Sequence, residues 1–297
     1  MPSWQGKTRG GVTGYKIFVF TLKFLGTGTA YFFLRFVIIY YLIFAPKAVK
    51  SAYYYFRKRL QFGFFKSGLG VYNNIYAFGQ TLIDKVAILS GFGEKFTYNF
   101  ENESFLRELA KNKSGGIILS GHFGNWEIAG QLLERLNARI SILMYDEEHQ
   151  RIKQYLSNVL IERDFEVISI KEDGSHLFEI RDALSDGRLI AMHGDRFVEG
   201  NDVFSVSFLG KKAKFPTGPY HLAARYQVPV LFVYAVKESK YHYHFHAEPP
   251  LNIPYPGDIE KRKKLVRDYV SKYVHFVEKV LKDYPNQWFN YYDFWSE

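Results

Sequence analysis

The 297-residue chain has no cysteine. That excludes a thiol nucleophile, a thiolate metal site, an iron–sulfur cluster and any disulfide framework, so whatever chemistry it performs uses oxygen and nitrogen groups. There is no Gly-x-Ser-x-Gly elbow, and no Gly-x-Gly-x-x-Gly or phosphate-loop fingerprint, so the usual serine-nucleophile and nucleotide motifs are also missing. Acidic residues are absent before Asp84, although eleven Lys and Arg stand there; the rest of the chain has 28 Lys and Arg against 30 Asp and Glu. The net charge of +9 therefore belongs to the N-terminal part. No internal repeat, low-complexity tract or long Pro/Gly linker separates independent domains. With 47% apolar and 23% charged residues, the chain is composed as a folded protein.

What the N-terminal part holds is apolar and aromatic. Phe24 to Ala45 is a run of 22 residues with Arg35 as its one charge, about 33 Å as a helix and long enough to cross a hydrocarbon core. Basic residues flank it on both sides, Lys7, Arg9, Lys16 and Lys23 before it and Lys47, Lys50, Arg57, Lys58 and Arg59 after it. The positive-inside rule thus gives no orientation, and a mid-depth arginine is costly. This symmetry favours a helix lying in or dipping into one leaflet, with Arg35 snorkelling to the headgroups. A cleavable signal peptide fits less well, because the run is long and no small-residue cleavage site follows it; a buried core helix is the remaining reading. Tyr40, Tyr41, Tyr53, Tyr54 and Tyr55 among basic residues have the amphipathic character of an interface. A basic, aromatic segment of this kind points to an anionic membrane surface rather than to nucleic acid.

From about residue 95 short β-like runs alternate with helical ones: FTYNFE, GIILS, RISILMY, FEVISI, GRLIAMH, VFSVSFL, PVLFVYAV and YHYHFHAE as strands, with a long closing helix from about Asp258 to Lys282. Such alternation predicts an α/β fold, a mostly parallel central sheet flanked by helices, preceded by an N-terminal membrane-associated helical region. The change of pattern divides the chain into a basic, hydrophobic region, 1–92, and an α/β body, 93–297.

The strongest local signal for chemistry is SGHFGNWE. His122 follows the GIILS strand and Glu127 sits on the first turn of the next helix, at the carboxyl end of a strand, where open α/β sheets bind ligands. A carboxylate five residues on can fix the tautomer of a histidine and raise its basicity. Gly121 and Gly124 allow a tight path and leave room for a substrate, and the helix N-terminus offers N–H groups to a phosphate or an oxyanion. Spacing alone leaves open whether His122 is a base or caps the helix.

The string GHFGNWE, His-x4-Glu, resembles the active-site motif of the bacterial lipid A biosynthesis (late) acyltransferases, within the wider lysophospholipid acyltransferase superfamily. Three further stretches are similar in the same order: WQGKTRGG near the start; GDRF around Asp195, followed by FLGKKAKFPTGPYHLAARYQVPVLFV; and YPNQWFNYYDFW at the end. The resemblance implies direct transfer of a fatty acyl chain from a thioester, on acyl carrier protein or coenzyme A as co-substrate, to a hydroxyl of a membrane glycolipid such as a lipid A precursor of lipopolysaccharide. It implies His122 as general base, Glu127 as the acid that orients it, no cofactor, and a site on the cytoplasmic face of a bacterial inner membrane. A chain without cysteine suits a mechanism without an acyl-enzyme, and Ser120 is read as structural.

The same resemblance gives Asp195 and Arg196 to the substrate, Arg196 through a bidentate phosphate contact or, more plainly, a salt bridge to Asp195 or Glu199. Asn125 of the first motif is assigned to the substrate with them. Lys211, Lys212 and Lys214 read as a turn that holds lipid phosphates or an acidic carrier protein, or as a solvated turn. Where the family often shows an arginine, MYDEEHQR stands here, with Arg151 as the nearest replacement; this leaves room for other membrane-bound alcohols as acceptors (an amino-acid lipid, a phosphoglycolipid, a pigment intermediate). A catalytically idle lipid-binding module and a thioester hydrolase are the rivals outside that chemistry. In YHYHFHAE, His242, His244, His246 and Glu248 share one strand face. The expectation is the exposed face of an outer strand without metal, since residues two apart are about 7 Å apart and seldom all converge on one ion.

Overall fold

The computed structural model describes residues 12–89, 91–126, 128, 138–145, 166–171, 173–197 and 200–295. Three helices come first: α1 (Val12–Phe44), α2 (Pro46–Tyr54) and α3 (Phe64–Leu89). A non-helical Gly26 kinks α1, so the apolar stretch Leu25–Phe44 begins at the kink; by length and composition it can cross a membrane. Its residues divide by face. Thr27, Ala30, Tyr31, Leu34 and Ile38 are buried at helical spacing, while Phe32, Phe33, Phe36, Val37, Ile39, Tyr40, Ile43 and Phe44 are exposed. Close approach of α1 to α3 depends on Gly79, where a Cβ would lie 2.5 Å from the side chain of Leu34.

The body alternates strands and helices: β1 (Thr97–Glu101), α4 (Glu103–Asn112), β2 (Gly116–Ser120), β3 (Ile140–Tyr145), β4 (Glu166–Ile170), α5 (His176–Ser185), β5 (Leu189–His193), β6 (Val203–Phe208), β7 (Lys211–Pro216), α6 (Gly218–Tyr226), β8 (Val230–Ser239), β9 (His242–Ala247) and α7 (Ile259–Asp283). Seven strands form one sheet in the order β1-β9-β8-β2-β5-β3-β4. Strands β8, β2, β5, β3 and β4 run parallel, β9 is antiparallel to β8, and β1 is parallel to β9. The central strands read as near-continuous apolar runs because helices cover both faces. Residues Gly116 to Leu119 of β2, for example, are all buried. Helix α7 lays Val266, Val270, Tyr273, Val274, Val277 and Leu281 into the core at spacings of three and four, and Asp258 caps its start by accepting from the Lys261 N–H.

Two sequence expectations change. Lys211, Lys212 and Lys214 lie on a strand, β7, paired antiparallel with β6, and the turn is earlier, at Leu209 and Gly210, both with positive φ. Strand β9 is not the outer strand, because β1 covers it.

The boundary at 92/93 marks a change of composition within one core. A single apolar cluster runs from Ala30 and Leu34 through Phe56 and Ile75 to Phe232, Tyr273 and Trp295. A polar tie crosses it as well. The carboxylate of Asp84 on α3, fully buried, accepts from Tyr31 on α1, Lys237 on β8 and Tyr243 on β9. Burial raises the Asp84 carboxyl above its ordinary value, against the pull of Lys237 and the hydroxyls; burial lowers the Lys237 ammonium.

Candidate active site

The register of β2 and β5 builds the site. Ser120 pairs with His193, and Gly194 donates to the Ser120 carbonyl at 2.8 Å. His122 and Asp195, each two residues past its strand end, therefore meet. The Asp195 carboxylate accepts the His122 backbone N–H at 2.8 Å and faces its Nδ1 at 2.7 Å. A carboxylate only accepts, so Nδ1 carries the proton and Nε2 is left as the basic nitrogen. Trp288 Nε1 adds a longer contact to Asp195 at 3.4 Å.

His122 is nearly buried. Its ring lies 5.3 Å from Trp126 and 4.4 Å from His193. Burial, and next the Arg196 guanidinium, lower the imidazole below its ordinary value, while Asp195 opposes them; His122 is thus neutral and able to accept a proton at neutral pH. Burial alone would raise the Asp195 carboxyl, but His122 and Arg196 outweigh it and hold it well below the usual carboxylate range. Burial first, then the neighbouring His122 imidazole, push the His193 imidazole well below its ordinary value. His193 closes the strand GRLIAMH and was read from sequence only as part of it; proximity to the motif comes from strand register.

Several assigned residues sit differently from expectation. Asp195, assigned to substrate, is 1% exposed and spent on His122. Asn125 is also buried. Its amide donates to the Thr81 carbonyl and the Tyr243 hydroxyl and accepts the Ile128 N–H, so it caps the motif helix instead of facing a substrate. Neighbouring amides are likewise engaged: Gly124 N–H donates to Gln287 O and Asn125 N–H to Ala235 O. Gly124, at φ +64°, leaves no room for substrate either; a Cβ there would lie 1.9 Å from the Ala235 carbonyl oxygen. Arg196 donates to the Phe289 carbonyl at 3.0 Å and stands over the Tyr292 ring. Lys212 and Lys214 alternate outward on β7 while Ala213 and Phe215 point into the core, and Lys211 lies against the Tyr54 ring. Glu127, Arg151 and Glu199 lie outside the described residues.

The closing segment clamps this loop. Gln287 exchanges hydrogen bonds with the backbone of Lys237 through both atoms of its amide, at 2.8 Å each; Phe289 N–H donates to the His122 carbonyl at 2.8 Å; Asn74 of α3 donates to the carbonyls of Asn286 and Trp288. The YPNQWF string thus holds the His122 turn against β8 and α3.

A neutral, buried histidine oriented by a carboxylate at the carboxyl ends of parallel strands is the arrangement of a general base that activates a hydroxyl or water. The profile of the family described as bacterial lipid A biosynthesis acyltransferase matches residues 84–295, and the chain belongs to that family. It is an acyltransferase of α/β fold. Among solved structures it is similar to the 1-acyl-sn-glycerophosphate (LPA) acyltransferase PlsC from Thermotoga maritima, with 15% identity over 77% of this chain and 94% of that one and a TM-score of 0.36. Comparison with curated proteins gives no match.

Proposed function

We propose that the protein moves a fatty acyl chain from an acyl thioester, on acyl carrier protein or coenzyme A, to a hydroxyl of a membrane glycolipid, with a lipid A precursor as the acceptor. The observation that carries the reading is the His122–Asp195 contact within a chain of this family. His122 Nε2 takes the proton of the acceptor hydroxyl as its oxygen attacks the thioester carbonyl. Asp195 keeps the proton on Nδ1 and balances the imidazolium. The C–S bond then breaks, and the leaving thiolate recovers the proton from Nε2. Two carboxylates are assigned to this imidazole, Asp195 by contact and Glu127 by its place in the motif.

The membrane reading rests on the aromatic face of α1. Its exposed Phe32, Phe33, Phe36 and Phe44 are joined by exposed Phe64, Phe65 and Leu69 at the start of α3, a surface suited to one leaflet of an anionic inner membrane. Arg196 and the β7 lysines are assigned to acceptor phosphates or to an acidic carrier.

Purified protein in detergent or in membranes, given acyl thioester and a lipid A precursor, tests this by mass spectrometry of the lipid product. His122→Ala is expected to lower transfer by about 10²–10⁴-fold. Unchanged transfer in that variant refutes the general-base assignment, and equal release of free fatty acid without acceptor identifies a hydrolase.

A further inference from the structure

Away from the catalytic pair, β1 and β9 bring a second set of side chains together. Their parallel register sets Thr97 beside His242, Asn99 beside His244 and Glu101 beside His246. The three histidines share one face and alternate with Tyr243 and Phe245, which are buried on the other. Tyr243 reaches Asp84 and Asn125, whereas the histidine face packs on Tyr234, which lies 5.0 Å from the His246 ring and 6.0 Å from Phe276 of α7. The cluster is therefore on the side of the sheet opposite the Asp84 tie.

Each histidine has a different use. His242 is engaged on both nitrogens, Nδ1 with the Thr97 hydroxyl at 2.7 Å and Nε2 with the Asn99 amide oxygen at 3.1 Å. His244 Nε2 and His246 Nδ1 instead converge on one carboxylate oxygen, Oε2 of Glu101, at 3.2 Å and 2.9 Å, and one ligand atom from each of the three residues lies within 4.8 Å of the others. At zinc–ligand bonds of about 2.0–2.1 Å, tetrahedral ligand atoms are about 3.3–3.4 Å apart, so small side-chain adjustments suffice.

A second carboxylate stands behind His246. Glu248 Oε1 lies 3.3 Å from His246 Nε2, so that ring faces a carboxylate from both nitrogens. A neutral imidazole has one N–H, which meets one of the two contacts; the other is met by a second proton or by a metal ion in its place. A metal on Nδ1 leaves Nε2–H to donate to Glu248, the carboxylate–histidine–metal pattern that orients metal-bound imidazoles. The ring is also fixed: the His246 and His244 side chains are 9% and 13% exposed, against 54% for Glu101, which leaves the carboxylate side open to water as a further ligand. Two imidazoles and one carboxylate suit zinc-class ions better than calcium or magnesium.

We propose that Glu101, His244 and His246 form a site for a divalent transition metal of the zinc class, with Glu248 orienting His246, and that the bound ion clasps the edge strand β1 to β9. The ion takes the lone pairs of His244 Nε2 and His246 Nδ1, and each ring keeps its one proton on the other nitrogen, which for His246 is Nε2, facing Glu248.

Tag-free, chelator-treated full-length protein in detergent is titrated with Zn²⁺ by calorimetry and with Co²⁺ by visible absorption. The expected result is one tight equivalent, a rise in Tm on zinc addition, and tetrahedral cobalt bands. His244→Ala, His246→Ala and Glu101→Gln are expected to lose the Tm rise and to weaken binding at least tenfold. His242→Ala and the catalytic variant His122→Ala keep both, so failure of the catalytic reading leaves this result readable. Because metal-free Tm is measured for every variant, a folding defect is separated from lost binding. Binding retained in the His244→Ala/His246→Ala double variant, or no zinc uptake by wild type, overturns the proposal.

Discussion

Asp84→Ala removes the acceptor shared by Lys237, Tyr31 and Tyr243. Asp84 is fully buried and the Lys237 side chain is 8% exposed, so neither water nor salt can replace what is lost. Removing one partner of a buried ion pair costs about 3–5 kcal/mol. The upper end has a natural limit, because Lys237, whose ammonium burial already disfavours, can release its proton. At 1.36 kcal/mol per pH unit, neutralising an ordinary lysine of pKa about 10.4 at pH 7 costs about 4.6 kcal/mol. Tyr31 stays within 2.8 Å of Lys237 Nζ and can donate to the neutral amine, while the Tyr243 hydroxyl loses its acceptor, adding about 1 kcal/mol. Denaturation in detergent should therefore place Asp84→Ala about 3–5 kcal/mol below wild type, with Lys237→Met similar. Replacing both, as Asp84→Leu/Lys237→Met, should recover most of the loss, since apolar substitutes remove the need for pairing. A loss under about 1 kcal/mol for Asp84→Ala, or a double variant no more stable than either single one, would show that the pair does not tie the helices to the body.

Under the proposed mechanism the acid limb of the transfer rate reports the His122 imidazole, lowered from 6.5 by burial and Arg196 and raised by Asp195. Arg196→Gln removes a lowering charge and should move the limb to higher pH; Asp195→Asn removes the raising partner and should move it lower while reducing the maximal rate. Shifts in the opposite senses, read from kcat/KM against pH, would reject the electrostatic account. Gly124→Ala places a Cβ 1.9 Å from the Ala235 carbonyl oxygen at a φ of +64°. Left-handed strain of about 1–2 kcal/mol then adds to displaced backbone, and a measured loss under 1 kcal/mol would show that the turn adapts.

Much of the body was legible because its signals are local. Strand runs such as GIILS and LIAMH are apolar and short, and α7 repeats its apolar residues at helical spacing, so type and order follow from period alone. The β7 lysines were misread because Leu209 and Gly210 announce a turn and a charge cluster looks like one. The strand signal, Ala213 and Phe215 inward between Lys212 and Lys214 outward, spans only a few residues. The contact between His122 and Asp195 was harder to foresee. A reading along the chain favours Glu127, five residues away, whereas Asp195 comes from 73 residues further on through the pairing of Ser120 with His193. No local pattern encodes that register. Asn125 and Gly124 have contacts that the motif does not announce: the Asn125 amide meets the Tyr243 hydroxyl and Gly124 fits against Ala235, both on distant strands that composition does not reveal.

The closing segment joins the N-terminal helices to the His122 turn. Gln287 holds the Lys237 backbone on both sides, and the Lys237 side chain reaches Asp84 on α3. One residue later, Trp288 contacts Asp195, and its carbonyl receives the Asn74 amide from α3; Phe289 then fixes the His122 carbonyl and accepts from Arg196. These routes from the aromatic helices to the imidazole run through buried contacts. Packed interiors transmit position because they deform little. Under the proposed function, a bilayer that fixes the exposed face of α1 and the start of α3 also fixes the height and orientation of His122 relative to the acceptor headgroup. The eleven basic residues ahead of Asp84 then act on catalysis through geometry, by setting where a rigid body sits, while the near-neutral body leaves the local charges of Asp195 and Arg196 to tune the base.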